Sequence, residues 1–402
     1  MIELIYIILA VILGICAGTI TGLLPGIHIN LVASSILAVS AFLLGHFSIY
    51  AVLAFIIAMT MTHTFIDFIP SVFLGAPDED SALAVLPGHE MLLKGQGYEA
   101  VVLTLYGSLI AIFLIVVLTP IFIFILSKIY FYLSFVIVFL LISSSIFLIF
   151  KEKTSKLLAF MVFMLAGFLG LASLNLNVSN SLLPLLSGLF GASSIVISIK
   201  KKNKIPKQQT SFKKIKISKK EIINSSLASL VSAPLCSILP SLGSGQAAVI
   251  GSEVSGNLTR REFLILLGII NTFIAGLSFI VLYSIGKART GISLAIQELV
   301  PNFNFNLLFF ILLIASISGI ISFFLGMQIA KSISRYLGKL NYKILSIFIL
   351  GFLTGIVIFF SGILGFGIFI TSTFLGIFAI LSGIRRTHLM GSLMIPSILL
   401  LL

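Results

Sequence analysis

The sequence predicts an all-α polytopic integral membrane protein with two inverted-topology repeats, each containing a re-entrant helical hairpin and interrupted helices. Hydrophobic residues make up 59% of the 402 residues, charged residues make up 9%, and the mean hydropathy is +1.24. Apolar runs of about 18 residues or more, the length of a membrane-spanning helix, follow one another with short connections. Breaks that contain proline and glycine recur at corresponding positions of the two halves.

The net charge of +13 is concentrated in one loop, because ten of the 25 basic residues are lysines between Lys200 and Lys220. Basic loops of membrane proteins favour the cytoplasmic side, which predicts a multi-pass protein of the cell membrane with this loop inside. Binding of anionic lipid headgroups is an alternative role for the same lysines, and no nucleic-acid partner is expected. The loop divides the chain into an N-terminal transmembrane repeat (1–199), a basic cytoplasmic linker (200–220) and a C-terminal inverted transmembrane repeat (221–402).

Segment 221–259 predicts a re-entrant hairpin. It leaves the lysine loop as an apolar stretch, breaks at Pro240–Gln246 and returns to Arg260. Both ends carry the charge of an inside loop, so the break should lie within the membrane, covered by protein or by a wet cavity. The N-terminal segment repeats this design, with a break at Pro25–His28 between two apolar stretches.

Setting Pro25 against Pro240 aligns the rest of the two halves. In each half a span, an interrupted segment and a long span follow the break. The paired segments are 47–66 with 262–285, 68–93 with 286–304, and 98–127 with 305–330. Because the basic loops give the two long spans opposite directions, the halves are expected to be inverted, which is typical of secondary transporters.

Glycine recurs every fourth residue at Gly14, Gly18, Gly22 and Gly26, so these positions share one helix face and allow close approach of another backbone. Plain helix packing is the favoured interpretation for Gly14 and Gly18. Gly22 and Gly26 flank the break at Pro25, where glycine lets the chain turn, and a functional role and an architectural one stay equally open there.

The two breaks predict an anion site. A helix that restarts inside the membrane presents backbone N–H groups with partial positive charge, which suit a carboxylate or a phosphate. The alternative is that the polar groups of the two breaks only satisfy one another. The candidate substrate-binding residues are Gly22, Pro25, Gly26, His28, Asn30, Pro240, Ser241, Gly243, Ser244, Gly245 and Gln246.

Acidic residues in or near apolar segments are candidates for binding a coupling Na⁺ or H⁺. His63 and Asp67 lie four residues apart on a mostly apolar segment, where a charged side chain costs about 2.5 to 3.5 kcal/mol on insertion scales. Two interpretations stay equally open for Asp67: it serves a coupling H⁺ or Na⁺, or its charge lies at the membrane edge. Glu253 is isolated in the second hairpin. The turn with Asp78 and Asp80 either is solvated or binds an ion. No cofactor, metal site or disulfide is expected, and no motif indicates an enzyme.

Three stretches resemble the large permease subunit of tripartite tricarboxylate transporters, the TctA family. They are GTITGLLPGIHINLVA from Gly18, LPGHEMLLKGQGYEAV from Leu86 and ILPSLGSGQAA from Ile238. The middle stretch is similar to the family pattern DGYPMARKGxAGxAL, with Pro87 in place of the aspartate. Ser241 stands where the second tip of the family usually has glycine. The short chain resembles divergent archaeal members.

The resemblance implies uptake of a citrate-like carboxylate, with a small membrane subunit and an extracytoplasmic binding protein as partners. It also implies that Pro25 and Gly26 form one tip of the substrate site and that Pro240 to Gly245 form the other. Two rival functions stay open at this point. One is translocation of a lipid phosphate such as a polyprenyl phosphate, and the other is a membrane scaffold without transport activity.

Overall fold

The fold is that of a computed structural model, which describes residues 2–24, 44–75, 81–178, 180–200, 206–212, 215–238, 244–256, 258–300, 302–337 and 342–402. The regular elements of these ranges are helices. In chain order, the α-helices are α1 (Ile2–Leu23), α2 (Ile49–Ile66), α3 (Phe68–Leu74), α4 (Val85–Leu93), α5 (Gly97–Phe150), α6 (Lys156–Asn175), α7 (Leu182–Leu186), α8 (Ser193–Lys200), α9 (Lys219–Ile238), α10 (Ser244–Val254), α11 (Arg260–Ile285), α12 (Gly291–Leu299), α13 (Phe305–Leu337), α14 (Tyr342–Leu381) and α15 (Gly391–Leu401). A π-helical turn, Ser187–Ala192, joins α7 to α8.

Seven of the described helical segments are long and apolar enough to cross a membrane. The two most enclosed segments are Ile49–Leu74, which contains α2 and α3, and Arg260–Ile285, which is α11. Large apolar side chains on the outer helices face outwards, and Phe359 on α14 is 82% exposed. Such a surface is stable in lipid, where apolar side chains need no cover. The chain is an all-α polytopic membrane protein, as the composition predicts.

Charged loops gather at one end of the helices, here called the charged face. The backbone N–H of Gln209 in the lysine linker donates to the carbonyl of Gly95, at 2.8 Å. Arg261 forms ion pairs with Glu221 and Glu99, and Arg385 pairs with Glu152 at 3.2 Å. The lysine linker and the loop that ends at Arg260 are the segments whose basic residues predict the cytoplasmic side, and the assignment of the charged face to the cytoplasm stays a prediction.

Helix α5 reverses direction along its length. A straight helix of its 54 residues would be about 81 Å long. However, Glu99 near its start pairs with Arg261, and Lys151 just after its end pairs with Glu253, so both ends lie at the charged face. The segment therefore provides a passage away from this face and a passage back, in agreement with the span expected at 98–127 and its return. Helix α14 is broken at Gly362, which has φ 64°.

Close glycine contacts fix the directions of the first helices. A Cβ on Gly14 would lie 2.6 Å from the carbonyl oxygen of Phe55, and one on Gly18 would lie 2.3 Å from that of Met59. Helices α1 and α2 are therefore parallel and in close backbone contact. The four-residue glycine spacing predicted this packing.

The corresponding helices of the two halves run in opposite directions. Helices α9 and α11 start at the charged face and lead away from it, while α13 starts at the far end of α11, where Phe305 packs against Tyr283. Helix α2 is parallel to α13, because Tyr50 contacts Phe310 and Thr62 bonds to Ser322 further along both helices. Helices α1 and α2 thus approach the charged face. Inverted halves require these directions, and the superposition of the halves stays a prediction.

Candidate functional site

Helices α9 and α10 form a hairpin that enters and leaves at the charged face. A Cβ on Gly251 of α10 would meet Ser232 and Ala228 of α9, so α10 returns alongside α9. The outer end of α9 is tied to Arg261 through Glu221, and the outer end of α10 to Lys151 through Glu253, at 3.4 Å. The predicted tip residues Pro240, Ser241 and Gly243 lie outside the described residues.

The inner end of this hairpin lies beside the middle of α11. Ser244, the first residue of α10, donates its hydroxyl to the side-chain oxygen of Asn271 on α11, at 3.5 Å. Asn271 lies eleven residues after the start of α11, about 16 Å along a helix of about 39 Å. Helix α10 therefore begins beside the midpoint of α11, one of the two most enclosed of the described segments that are long enough to cross a membrane.

Asp67 lies on the other side of Asn271. The carboxylate is 97% buried at the junction of α2 and α3, and the Asn271 amide donates to its Oδ2 at 2.7 Å. The same amide also donates to the carbonyl of Thr64 at 3.4 Å, and the hydroxyl of Thr272 donates to that of Thr64 at 3.1 Å. These five residues, Asp67, Thr64, Asn271, Thr272 and Ser244, are here called the midspan cluster. A single amide thus connects a buried acidic residue of the first half to the hairpin of the second.

The end of α1, which leads into the first break, also lies beside Asp67. A Cβ on Gly22 would lie 3.2 Å from the backbone nitrogen of Asp67 and 2.9 Å from the Cβ of Ile66. The hydroxyl of Thr21 lies 3.1 Å from Nδ1 of His63, one turn before Asp67. The predicted residues of the first tip, Pro25, Gly26, His28 and Asn30, lie outside the described ranges.

The other predicted site residues have mixed positions. Gly245 packs against Met390, and Gln246 is buried on α10. Glu253 lies about 13 Å along α10 from Ser244 and pairs with Lys151 at the charged face, so the structure does not bring it to Asp67. The acidic turn that contains Asp78 and Asp80 is outside the described residues.

Sequence reasoning missed Asn271, Thr64 and Thr272. Their signal was present, because Asn271 and Thr272 form a polar pair within an otherwise apolar run from Phe263 to Leu282 that also contains Ser278. Polar side chains in membrane spans usually face the protein interior, where they find partners. The sequence alone did not indicate which acidic residue they meet.

Comparison with known proteins gives the family. The model of the tripartite tricarboxylate transporter TctA family matches residues 8–391, which include both breaks and the midspan cluster. The chain belongs to the TctA family. It is 32% identical over 411 aligned positions to the uncharacterized protein MJ1079 of Methanocaldococcus jannaschii, with 99% of each chain covered. No solved structure matches the chain. The family is one of transporters, so this TctA chain is a subunit of a membrane transporter.

A second polar centre of the TctA chain surrounds Glu152 in the loop between α5 and α6. Its carboxylate accepts from the backbone N–H groups of Lys153 and Thr154, at 2.8 and 3.1 Å, and lies 2.9 Å from Nε2 of His388. Burial on its own would raise the pKa of Glu152. The hydrogen bonds from Thr154, His388 and Arg385 outweigh burial and lower the pKa to about 2. Glu152 is therefore ionised, and it ties this loop to the start of the last helix.

We expect Glu152→Gln to destabilise the TctA chain by about 3 kcal/mol at pH 7. This value follows from the pKa of Glu152, which folding lowers from 4.5 to about 2. Because the folded pKa is the lower one, the contribution is complete above pH 4.5 and is lost as the pH falls from 4.5 towards 2. The Tm in detergent is measured for wild type and for Glu152→Gln from pH 7 to pH 3. The difference between the two Tm values should become smaller below pH 4.5. The exposed Glu3→Gln serves as control, and a difference that stays constant with pH contradicts this account.

Proposed function

We propose that this chain moves a small organic anion, a citrate-like carboxylate, across the cell membrane by alternating access, with the anion held at the tips of the two hairpins. The observation that carries the proposal is the Asn271 amide. It joins Asp67 of the first half to Ser244 at the start of α10. A site at the meeting of two inverted halves, near the middle of the span, is the arrangement that secondary transporters use.

The start of α10 supplies the attraction for an anion. The first backbone N–H groups of an α-helix have no acceptor within the helix, and they carry partial positive charge. Helix α10 has eleven residues, and its first residues Ser244, Gly245 and Gln246 are all buried. Backbone N–H groups and short polar side chains hold a carboxylate without a full positive charge, which would be costly in the membrane.

Asp67 gives a physical reason for coupling to a cation. An ionised Asp67 two hydrogen bonds away from Ser244 would repel an anion at the start of α10. Protonation of Asp67, or Na⁺ bound to it, removes this repulsion, so cation and anion favour each other's binding. Such mutual stabilisation is the thermodynamic basis of co-transport.

The ion-dependent step also explains how access could alternate. The Asn271 to Asp67 bond crosses between the halves, and a charge-assisted bond weakens when the carboxylate is neutralised. Loading of cation and anion would therefore free one half to move against the other. The family works with a small membrane subunit and an extracytoplasmic binding protein, and the binding protein would deliver the anion.

Uptake into proteoliposomes tests the proposal. Purified protein is expected to accumulate one or more of a panel of di- and tricarboxylates when a Na⁺ or H⁺ gradient is imposed. Asp67→Asn should reduce gradient-driven accumulation by more than tenfold, because the cation loses its carboxylate. Glu298→Gln, which removes a carboxylate from α12, should leave accumulation unchanged. Wild-type accumulation by Asp67→Asn would contradict a coupling role. If the protein transports lipid phosphates and none of the carboxylates, the proposal of a carboxylate substrate is wrong and the lipid-phosphate alternative is favoured.

A further inference from the structure

A cavity at the charged face carries an excess of positive charge. It has a volume of about 320 Å³ and lies between α4, the loop after α5, the end of α10, the start of α11 and the turn that precedes α15. The charged residues that line it are Glu90, Lys151, Glu253, Arg260, Arg385 and Arg386. Four of these side chains are basic and two are acidic, so the lining has a net charge of +2. This charge excess favours an anionic occupant.

The two acidic residues of the lining are already paired. Arg260 lies 2.8 Å from Glu90, and Lys151 lies 3.4 Å from Glu253. Arg385 is paired with Glu152, which is not part of the lining and also contacts His388. The lining therefore contains Arg386 without an acidic partner of its own. Within the described part of the chain, no carboxylate lies at ion-pair distance from Arg386.

Arg386 is 95% buried and is held in a fixed position. One terminal nitrogen donates to the hydroxyl of Ser194 at 2.6 Å, and the other donates to the carbonyls of Leu189 and Phe190, in the π-helical turn. The guanidinium carbon lies 5.4 Å from the centre of the Phe190 ring. The Nε–H finds no acceptor among the residues that the structure describes. A buried cation with an unused donor is costly, and an anion in the adjoining cavity relieves this cost.

We propose that this cavity is a second binding site for a small soluble oxyanion with two or more negative charges, with Arg386 as its anchor. The site lies at the charged face, about 13 Å along α10 from the midspan cluster. Lys151 attracts the anion, and Glu253 opposes it by pairing with Lys151. The identification of the anion with the transported carboxylate rests on the proposed function, but the site itself does not.

A local fluorophore separates this site from the midspan cluster. The chain has no tryptophan, and Phe263 lines the cavity, so Phe263→Trp introduces a single reporter there. Citrate and inorganic phosphate are titrated at constant ionic strength into the purified full-length variant in detergent. We expect a saturable change in emission. A second reporter, Phe305→Trp at the far end of α11, should show none.

Two opposite charge changes then decide whether an anion occupies the cavity. In the Phe263→Trp background, Lys151→Gln should weaken binding about fivefold, and Glu253→Gln should tighten it by a similar factor. Lys128→Gln makes the same charge change as Lys151→Gln at a remote position and should alter affinity less than twofold. Effects of the same sign, or no effect above twofold in either cavity variant, would overturn the proposal. Competition by anionic lipid with no response to citrate or phosphate would overturn a soluble occupant.

The fluorescence and uptake experiments distinguish a failure of the cavity site from a failure of the proposed transport function. Opposite effects of Lys151→Gln and Glu253→Gln on fluorescence, without carboxylate uptake into proteoliposomes, would support the cavity site and contradict the proposed function. Carboxylate uptake without any saturable fluorescence change would contradict the cavity site alone. Arg386→Gln should abolish the fluorescence response, and the two milder variants give the answer if Arg386→Gln does not fold.

Discussion

Asn271→Ala is expected to reduce carboxylate uptake by more than tenfold and to destabilise the protein by about 2 to 3 kcal/mol. The change removes the amide that donates to Asp67 at 2.7 Å and accepts from Ser244 at 3.5 Å. A buried carboxylate then loses a charge-assisted bond, and the hairpin loses its link to the first half. Initial uptake rates in proteoliposomes and Tm in detergent measure the two effects.

The neighbouring Thr272→Val is the matched control for this prediction. Thr272 is also buried on α11, but it donates to the neutral hydroxyl of Thr64, at 3.1 Å. Loss of a neutral hydrogen bond costs about 1 kcal/mol, and Val keeps the shape of the side chain. Uptake by Thr272→Val should stay within threefold of wild type. Equal losses of uptake in the two variants would mean that the cluster is only a packing contact.

Gly268→Ala is expected to destabilise the protein by about 3 kcal/mol. Helices α5 and α11 cross with their backbones in contact. A Cβ on Gly268 would lie 2.0 Å from the carbonyl oxygen of Thr104, and one on Gly107 would lie 2.2 Å from that of Ile265. The atoms met are backbone, so no side chain can move aside. Tm in detergent and the yield of monodisperse protein should both fall.

Gly355→Ala makes the same chemical change on the outward side of α14, where a Cβ meets nothing within 4 Å. Alanine is the better helix former, so this variant should be neutral or more stable by up to about 1 kcal/mol. A similar Tm for the two alanine variants would show that the α5 and α11 backbones are not in contact at Gly268.

The sequence was sufficient to predict the membrane fold because the signals are local. An apolar run of about 20 residues is enough to identify a membrane span, and a basic loop within about 20 residues of its end indicates on which side of the membrane that end lies. The paired basic ends of segment 221–259 predicted a re-entrant hairpin. The outer ends of α9 and α10 both lie at the charged face, and the depth of the hairpin in the membrane stays a prediction. The four-residue glycine spacing likewise indicated a close backbone contact on one face of α1, and the structure shows that α2 makes this contact.

Long-range partners were not predictable in the same way. Asp67 was a candidate because a charged side chain is costly in an apolar segment. Its hydrogen bond to Asn271, however, joins residues 204 positions apart. Glu253 was a candidate because it is isolated in the second hairpin, and its partner Lys151 is 102 positions away. Periodicity and hydropathy describe single helices, and neither indicates which polar groups of different helices meet. That pairing depends on packing of the whole bundle.

A density map of the protein frozen with a saturating transported carboxylate would show where the anion binds. We expect density for the anion at the start of α10, within hydrogen-bond distance of Ser244 and next to the Asn271 to Asp67 bond. An anion bound only elsewhere, with the start of α10 closed by protein side chains, would contradict this expectation.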